Sequence, residues 1–271
     1  MFPKDERFPK DEREEQWRSE QAMLIARLIV TDDHPDWDIP CDASENVSTE
    51  AGRGGDITGL RLVGGVDISF VKDNEVDALA MLVVMSYPEL EVIHSVSSMV
   101  KLTAPYIPGF LAFREAPHLV ALLEKLRAEH PDLAPQVVFV DGNGTLHPFG
   151  FGLASHFGVL ADVPTIGVGK TIMDIDGLHV RWNKRRLTPG AHEALTGDSG
   201  RVWGAAVAAP SSAKPVFISV GHRVSLESAV ELTKRVTHTR IPEPVRAADL
   251  QSRELLRELE RSTEAEESSG V

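Results

Sequence analysis

Apolar residues gather into short runs through the middle of the chain and thin out toward both ends. Three such runs follow closely, at 62–71, 78–86 and 90–98. Asp73-Asn74 separates the first two and Tyr87-Pro88 the second and third, so the spacing predicts an antiparallel meander of strands. The period then lengthens. PHLVALLEKLRAEH (117–130) repeats at helical spacing, with Pro117 at or near its first position, where a missing N–H does no harm. A strand at 136–140, a Gly-rich turn, a short helical run near 152–160 and a strand at 164–168 come next. After a basic loop, strands at 201–208 and 215–220 lead to helices at 225–237 and 244–261. Ahead of the meander, Trp17, Met23, Leu24, Ala26 and Leu28 give a partial apolar face to a helix from about Glu14 to Ile29. Meander first, then strands alternating with helices, predicts an α/β fold with a mixed sheet, antiparallel and parallel, flanked by helices. One domain over 14–261 is expected, with no linker after residue 60. The doubled FPKDER within 1–13 reads as a flexible charged leader, 32–59 as a loop, and 262–271 as a disordered acidic tail.

The 271 residues suffice for one large core, and no run reaches the ~20 apolar residues of a membrane helix. The one cysteine, Cys41, excludes an internal disulfide and a multi-cysteine zinc site, which fits a reducing cytoplasmic or nuclear compartment. A net charge of −13 weighs against a nucleic-acid partner until its distribution is considered. Residues 170–240 carry eleven Lys and Arg against six Asp and Glu, whereas the acid lies mostly elsewhere. A polyanion responds to that local field rather than to the total.

The candidate chemistry starts with two aspartates, each emerging from an apolar run into small residues: Asp67 in LVGGVDISFV and Asp141 in QVVFVDGNG. Either one alone is more readily explained as a turn cap. As a pair, they suggest convergence on a divalent cation, and oxygen-only ligation suits Mg²⁺ or Mn²⁺. Glu115, just ahead of the Pro117 helix, is either dipole compensation, a third carboxylate, or a group that orients attacking water. Asp249, within the final helix, could supply a fourth carboxylate. Tyr106 lies between Pro105 and Pro108 in a loop kept irregular, placed either to pack or to stack on a base. Lys170 follows a strand, where its ammonium could meet a phosphate. GVGKT (167–171) ends like a phosphate-binding loop, but Pro164 stands where that motif needs glycine, so a nucleoside triphosphatase is not supported. The glycines of DGNG, Gly142 and Gly144, allow a backbone to pass close to a ligand. His147, His156 and His222 lack metal-ligand spacing and read as structural or contact residues.

GGVDISF, TAPYIPGFLAFRE, VDGNGTLHPFGFGLASHFGVLADVPTIGVGK, SVGHRVSLESA and RIPEPVRAAD together resemble the endonuclease V family, over about residues 60–251. The resemblance implies a ribonuclease H-like fold and a metal-dependent endonuclease that cuts the second phosphodiester bond 3′ to inosine or deoxyinosine. It leaves a 5′-phosphate and a 3′-hydroxyl. The family's metal-binding aspartates fall on Asp67 and Asp141, its active-site glutamate on Glu115 and its further acidic position on Asp249. Its wedge tyrosine matches Tyr106 and its nucleic-acid-contacting lysine Lys170, with the base pocket expected at Gly142 and Gly144. Mg²⁺, with Mn²⁺ able to replace it, is the implied cofactor, and a monomer in the cytoplasm, nucleus or nucleolus the expected form. The wording of several segments is closer to eukaryotic members, which implies inosine-containing single-stranded RNA as the main substrate and deoxyinosine DNA as a second. A DNA-repair endonuclease and a non-catalytic reader of inosine-containing RNA are the alternatives, and the intact carboxylates count against the reader. Two positions depart from the family, Phe149 where Arg is common and Thr171 where a second Lys is common. Both remove positive charge beside the expected phosphate path.

Overall fold

A computed structural model describes residues 10–34, 36–39 and 57–269. Most of the FPKDER repeat, most of the 32–59 loop and Cys41 lie outside the described residues.

The predicted meander forms as β1 (Leu62–Phe70), β2 (Asp77–Ser86) and β3 (Val92–Lys101), paired antiparallel. The strands β4 (Val137–Asp141) and β5 (Thr165–Gly169) add to β1 in parallel. Strands β6 (His192–Thr196), β7 (Val202–Val207) and β8 (Val216–His222) complete the other half, β8 running antiparallel to β5. The result is one eight-stranded mixed sheet in the order β3-β2-β1-β4-β5-β8-β7-β6.

Alternation along the strands sends side chains to two cores. Val66, Leu82, Val138 and Val140 face α2 (Leu111–Glu129) and α3 (Leu153–Ala161). Val63, Val137, Phe139, Ile166 and Ile218 face the opposite side, covered by α5 (Leu226–Arg235) and the start of α6 (Glu243–Ser269). α5 starts where the Ser225 hydroxyl accepts from the Ser228 amide at 3.1 Å, an N-cap, and ends with Lys234 and Arg235 in its last turn. Ala248 and Leu256 of α6 pack on Leu79, Met81 and Val83 of β2. The approach of α6 needs a glycine. A Cβ on Gly65 would lie 2.0 Å from the Pro244 carbonyl oxygen.

Four expectations change. The helix α2 begins at Leu111, so Pro117 sits in its second turn rather than at its start. Burial of Ala112, Arg114, Glu115 and Ala116 in that first part outweighs the interior proline. The first helix, α1 (Lys10–Ile25), takes in residues assigned to the leader, and Trp17 anchors it against Ile107 and Phe110. The last helix runs to Ser269 through residues assigned to a disordered tail, because no Gly or Pro interrupts the chain from 245 until Gly270. The basic loop holds α4 (Leu178–Trp182) and β6. Both are short, and β6 buries only Leu195, too little apolar signal for a period to show.

Candidate active site

The pairing register brings the two aspartates together. Val66 of β1 is opposite Val140 of β4, so Asp67 and Asp141 follow at the same level on adjacent parallel strands. Asp249, on α6 above this edge, is the third member: one carboxylate oxygen from each of the three lies within 4.8 Å of the others. Glu115 projects from α2 near this group.

Burial and crowding of like charges set the electrostatics. Burial first, then the charge of Asp141, push the Asp67 carboxyl up to about 6. Two hydroxyls oppose this. Ser69 donates to Asp67 Oδ2 at 2.9 Å and Ser252 donates to the same oxygen at 3.1 Å. Burial pushes Glu115 up to about 7, with Arg114 opposing and Asp67 and Asp141 adding to the shift. Lys170, just past β5, places its Nζ 2.5 Å from Asp141 Oδ2 and 3.8 Å from Asp249 Oδ1. Burial works against its charge, but the hydrogen bond and charge of Asp141, with Asp249 and Asp67 behind, raise its pKa above the ordinary value. Arg253, one turn on in α6, pairs with Asp249 at 2.7 Å.

This donor set fits a hard divalent cation, being all carboxylate oxygen at close spacing. The Lys170 ammonium already takes a positive charge to its rim.

Tyr106 lies in the loop between β3 and α2, about half exposed, while its neighbours Ile107 and Phe110 are buried against Trp17. Trp17 stacks on Phe113 of α2 with centroids 5.1 Å apart, so α1 holds the loop from behind. Phe149 packs on Phe110 with centroids 5.3 Å apart. The Arg18 guanidinium lies 5.2 Å from the Phe149 ring centroid, which returns a positive charge to the place where family members carry Arg.

Gly142 and Gly144 lie in the turn directly after Asp141, and their amides bond to neighbouring strands. The Gly142 amide donates to the Val168 carbonyl at 3.2 Å and the Gly144 amide to Ser219 Oγ at 2.9 Å, so both donors are engaged within the fold. Packing explains Gly144, where a Cβ would lie 1.9 Å from the Val220 carbonyl oxygen. Of the histidines, His156 packs edge-on to Phe113 and His222 Nδ1 accepts from the Ile29 amide, as contact residues do.

Ser69 and Ser252 escape a reading of the sequence. Ser69 is two residues from Asp67 on a strand and Ser252 three from Asp249 on a helix, spacings that put each on its aspartate's face. Once the aspartates are chosen, that spacing finds them.

Carboxylates from two adjacent parallel strands and a covering helix, gathered at one point of a mixed sheet, are the kind of donor set that a metal-dependent phosphoryl-transfer enzyme needs. The Endonuclease V family model matches residues 43–250. The chain belongs to the endonuclease V family, a family of nucleases, and its sheet is the ribonuclease H-like one. It is 49% identical to human endonuclease V over 256 residues, 92% of this chain and 85% of that one. Against the mouse protein the identity is 48%, over 92% of this chain and 71% of the relative. The solved catalytic domain of human endonuclease V superposes with a TM-score of 0.80 at 47% identity, covering 92% of this chain and 98% of that one. Ciona intestinalis endonuclease V, solved with a 24-mer DNA containing an inosine followed by a ribo-adenosine, gives 0.76 at 36% identity over 92% of this chain and 99% of that one.

Proposed function

We propose that this chain is a divalent-cation-dependent endonuclease that cuts inosine-containing strands at the second phosphodiester bond 3′ to the inosine. Single-stranded RNA is its main substrate and deoxyinosine-containing DNA a second. The observation that carries the reading is the convergence of Asp67, Asp141 and Asp249 to within 4.8 Å. A bound Mg²⁺, or Mn²⁺ in its place, would be held by these carboxylates and supply Lewis-acid stabilisation of the phosphate. Ser69 and Ser252 orient Asp67 through their hydrogen bonds. Glu115, with its pKa pushed up to about 7, is suited to exchange a proton with water near pH 7. Tyr106, on a loop anchored by buried neighbours, would fill the gap left by a base rotated out of its stack. The products are a 5′-phosphate and a 3′-hydroxyl. The Ciona protein's inosine-containing ligand supports inosine as the target. Identity of 48–49% with the mouse and human proteins, against 37–40% with three bacterial relatives, supports the RNA preference expected of eukaryotic-like members.

Matched single-stranded RNA and DNA, with and without one inosine, incubated in Mg²⁺ and in EDTA, test this directly. Cutting is expected only with inosine and Mg²⁺, and faster on RNA. Asp67→Ala and Asp141→Ala should each reduce it by about 10²-fold or more while sparing the fold. Metal-dependent cutting retained in either variant would refute the ligand assignment. Tyr106→Ala should weaken strand binding, and unchanged binding and cutting would refute the wedge.

A further inference from the structure

Lys170 faces two ways. Its ammonium lies on Asp141, while the residue also lines a cavity of about 310 Å³. Lys184, Arg186, Lys214 and Arg240 line this cavity as well, drawn from separate stretches of the chain, and no carboxylate lines it. Among the described residues, Lys184, Arg186 and Lys214 enter no ion pair, whereas Arg185 at the rim is held by Glu193 at 2.6 Å. Arg240 is the inner member. It donates to the Lys170 carbonyl oxygen at 2.5 Å and to that of Pro215 at 3.4 Å, and its Nε is buried with no partner. Burial, and then the charge of Arg186, both hold its pKa below the ordinary value. Like charges gathered around a buried, unsatisfied donor are costly unless an anion joins them.

We propose that this cavity seats a backbone phosphate of the substrate strand, one lying beyond the bond cut at the carboxylate centre. The inference rests on the preceding reading that the centre acts on a polynucleotide, and adds where the strand goes next. The volume is at the small end for a ligand site, enough for a phosphate and its sugar. Arg240 holds the main chain of the residue whose side chain touches Asp141, so a phosphate gripped there is within one residue of the reacting group. Such a contact fixes the strand's position and carries no base information. It also tolerates either sugar, since the cationic groups meet phosphate alone.

Arg186 and Lys184 are exposed, so Arg186→Gln and Lys184→Gln should leave the fold intact, which thermal melting checks. Binding of a plain single-stranded RNA without inosine, followed by fluorescence anisotropy in EDTA across a salt series, reads the pocket apart from the chemistry. Each variant should bind several-fold more weakly. Its plot of log affinity against log salt should be shallower by about 0.7 for each phosphate it no longer neutralises. Arg186→Lys should recover most of the affinity. In inosine-dependent cutting, KM should rise more than kcat falls. Shortening the strand stepwise past the cut should cost the wild type affinity at one length, and Arg186→Gln none there. Wild-type affinity and salt slope in a variant carrying both Lys184→Gln and Arg186→Gln would overturn the proposal. So would inorganic phosphate or pyrophosphate binding that depends on Arg186 while strand binding does not, which would make this a site for free phosphate compounds. If the variants lose plain-strand binding but the wild type cuts no inosine-containing strand, the pocket stands and the preceding reading fails.

Discussion

Asp67 is ionised at neutral pH against its surroundings. Its folded pKa, about 6, lies above the 3.8 of an ordinary aspartate, and that of Glu115, about 7, above the ordinary 4.5. Between those values the folded chain binds more protons than the unfolded one, so this contribution to stability falls as pH rises from about 4 to 7. Asp67→Asn removes the Asp67 share. Without divalent cation it should therefore raise the melting temperature above pH 6, by on the order of 2 kcal/mol in stability. The gap should shrink at pH 4 and on adding Mg²⁺ to the wild type. Identical melting of the two proteins at pH 7.5 in EDTA would contradict the strained carboxylate. Ser252→Ala, which removes a donor to Asp67, should move the acid limb of the pH–rate profile upward; a profile that stays in place would show that the hydroxyl does not tune this group.

Two elements hold the site from outside the sheet. α6 passes so close to Gly65 that a single methyl would meet the Pro244 carbonyl. Gly65→Ala should shift the helix and with it Asp249. A displacement of about 1 Å at a reacting centre costs on the order of 10²-fold in rate, so turnover should drop far more than strand affinity. Equal losses in both would place the damage elsewhere. α1 supports the Tyr106 loop through Trp17. Trp17→Ala should cost about 3 kcal/mol of stability and loosen the loop, weakening strand binding, measured well below the melting temperature. At this scale the sequence is informative wherever burial enforces a period. β2, β4 and β8 are buried almost throughout and β1 through its middle, and all are readable, while β3 buries only Val96 and is read from its apolar run between turn signals. α4 and β6 are five residues each, bury only one or two, and are not readable. Pro117 misleads because tertiary burial extends α2 upstream of it, a contact no local rule contains.

Across the whole molecule, the acidic total of −13 conceals a basic face adjoining the carboxylates. Strand binding should therefore weaken steeply with salt despite the protein's overall charge, and a flat salt response would argue against backbone contact. The centre itself is only half legible in the sequence. The aspartates are visible as charges ending apolar runs, and Asp249 as an acid in the last helix. Their meeting depends on the Val66–Val140 register and on where α6 lies, which are properties of the assembled sheet. The amides of Gly142 and Gly144 bond to β5 and β8, partners that no local spacing names.

The order of the three carboxylates along the chain has one more consequence. Asp67 and Asp141 belong to strands made early, but Asp249 comes after all eight. A growing polypeptide can lay down its sheet and bring two aspartates side by side while its third is still to be translated. Until α6 emerges and settles over Gly65, the carboxylate cluster lacks a member, so the three-carboxylate group is the last part of the site to form.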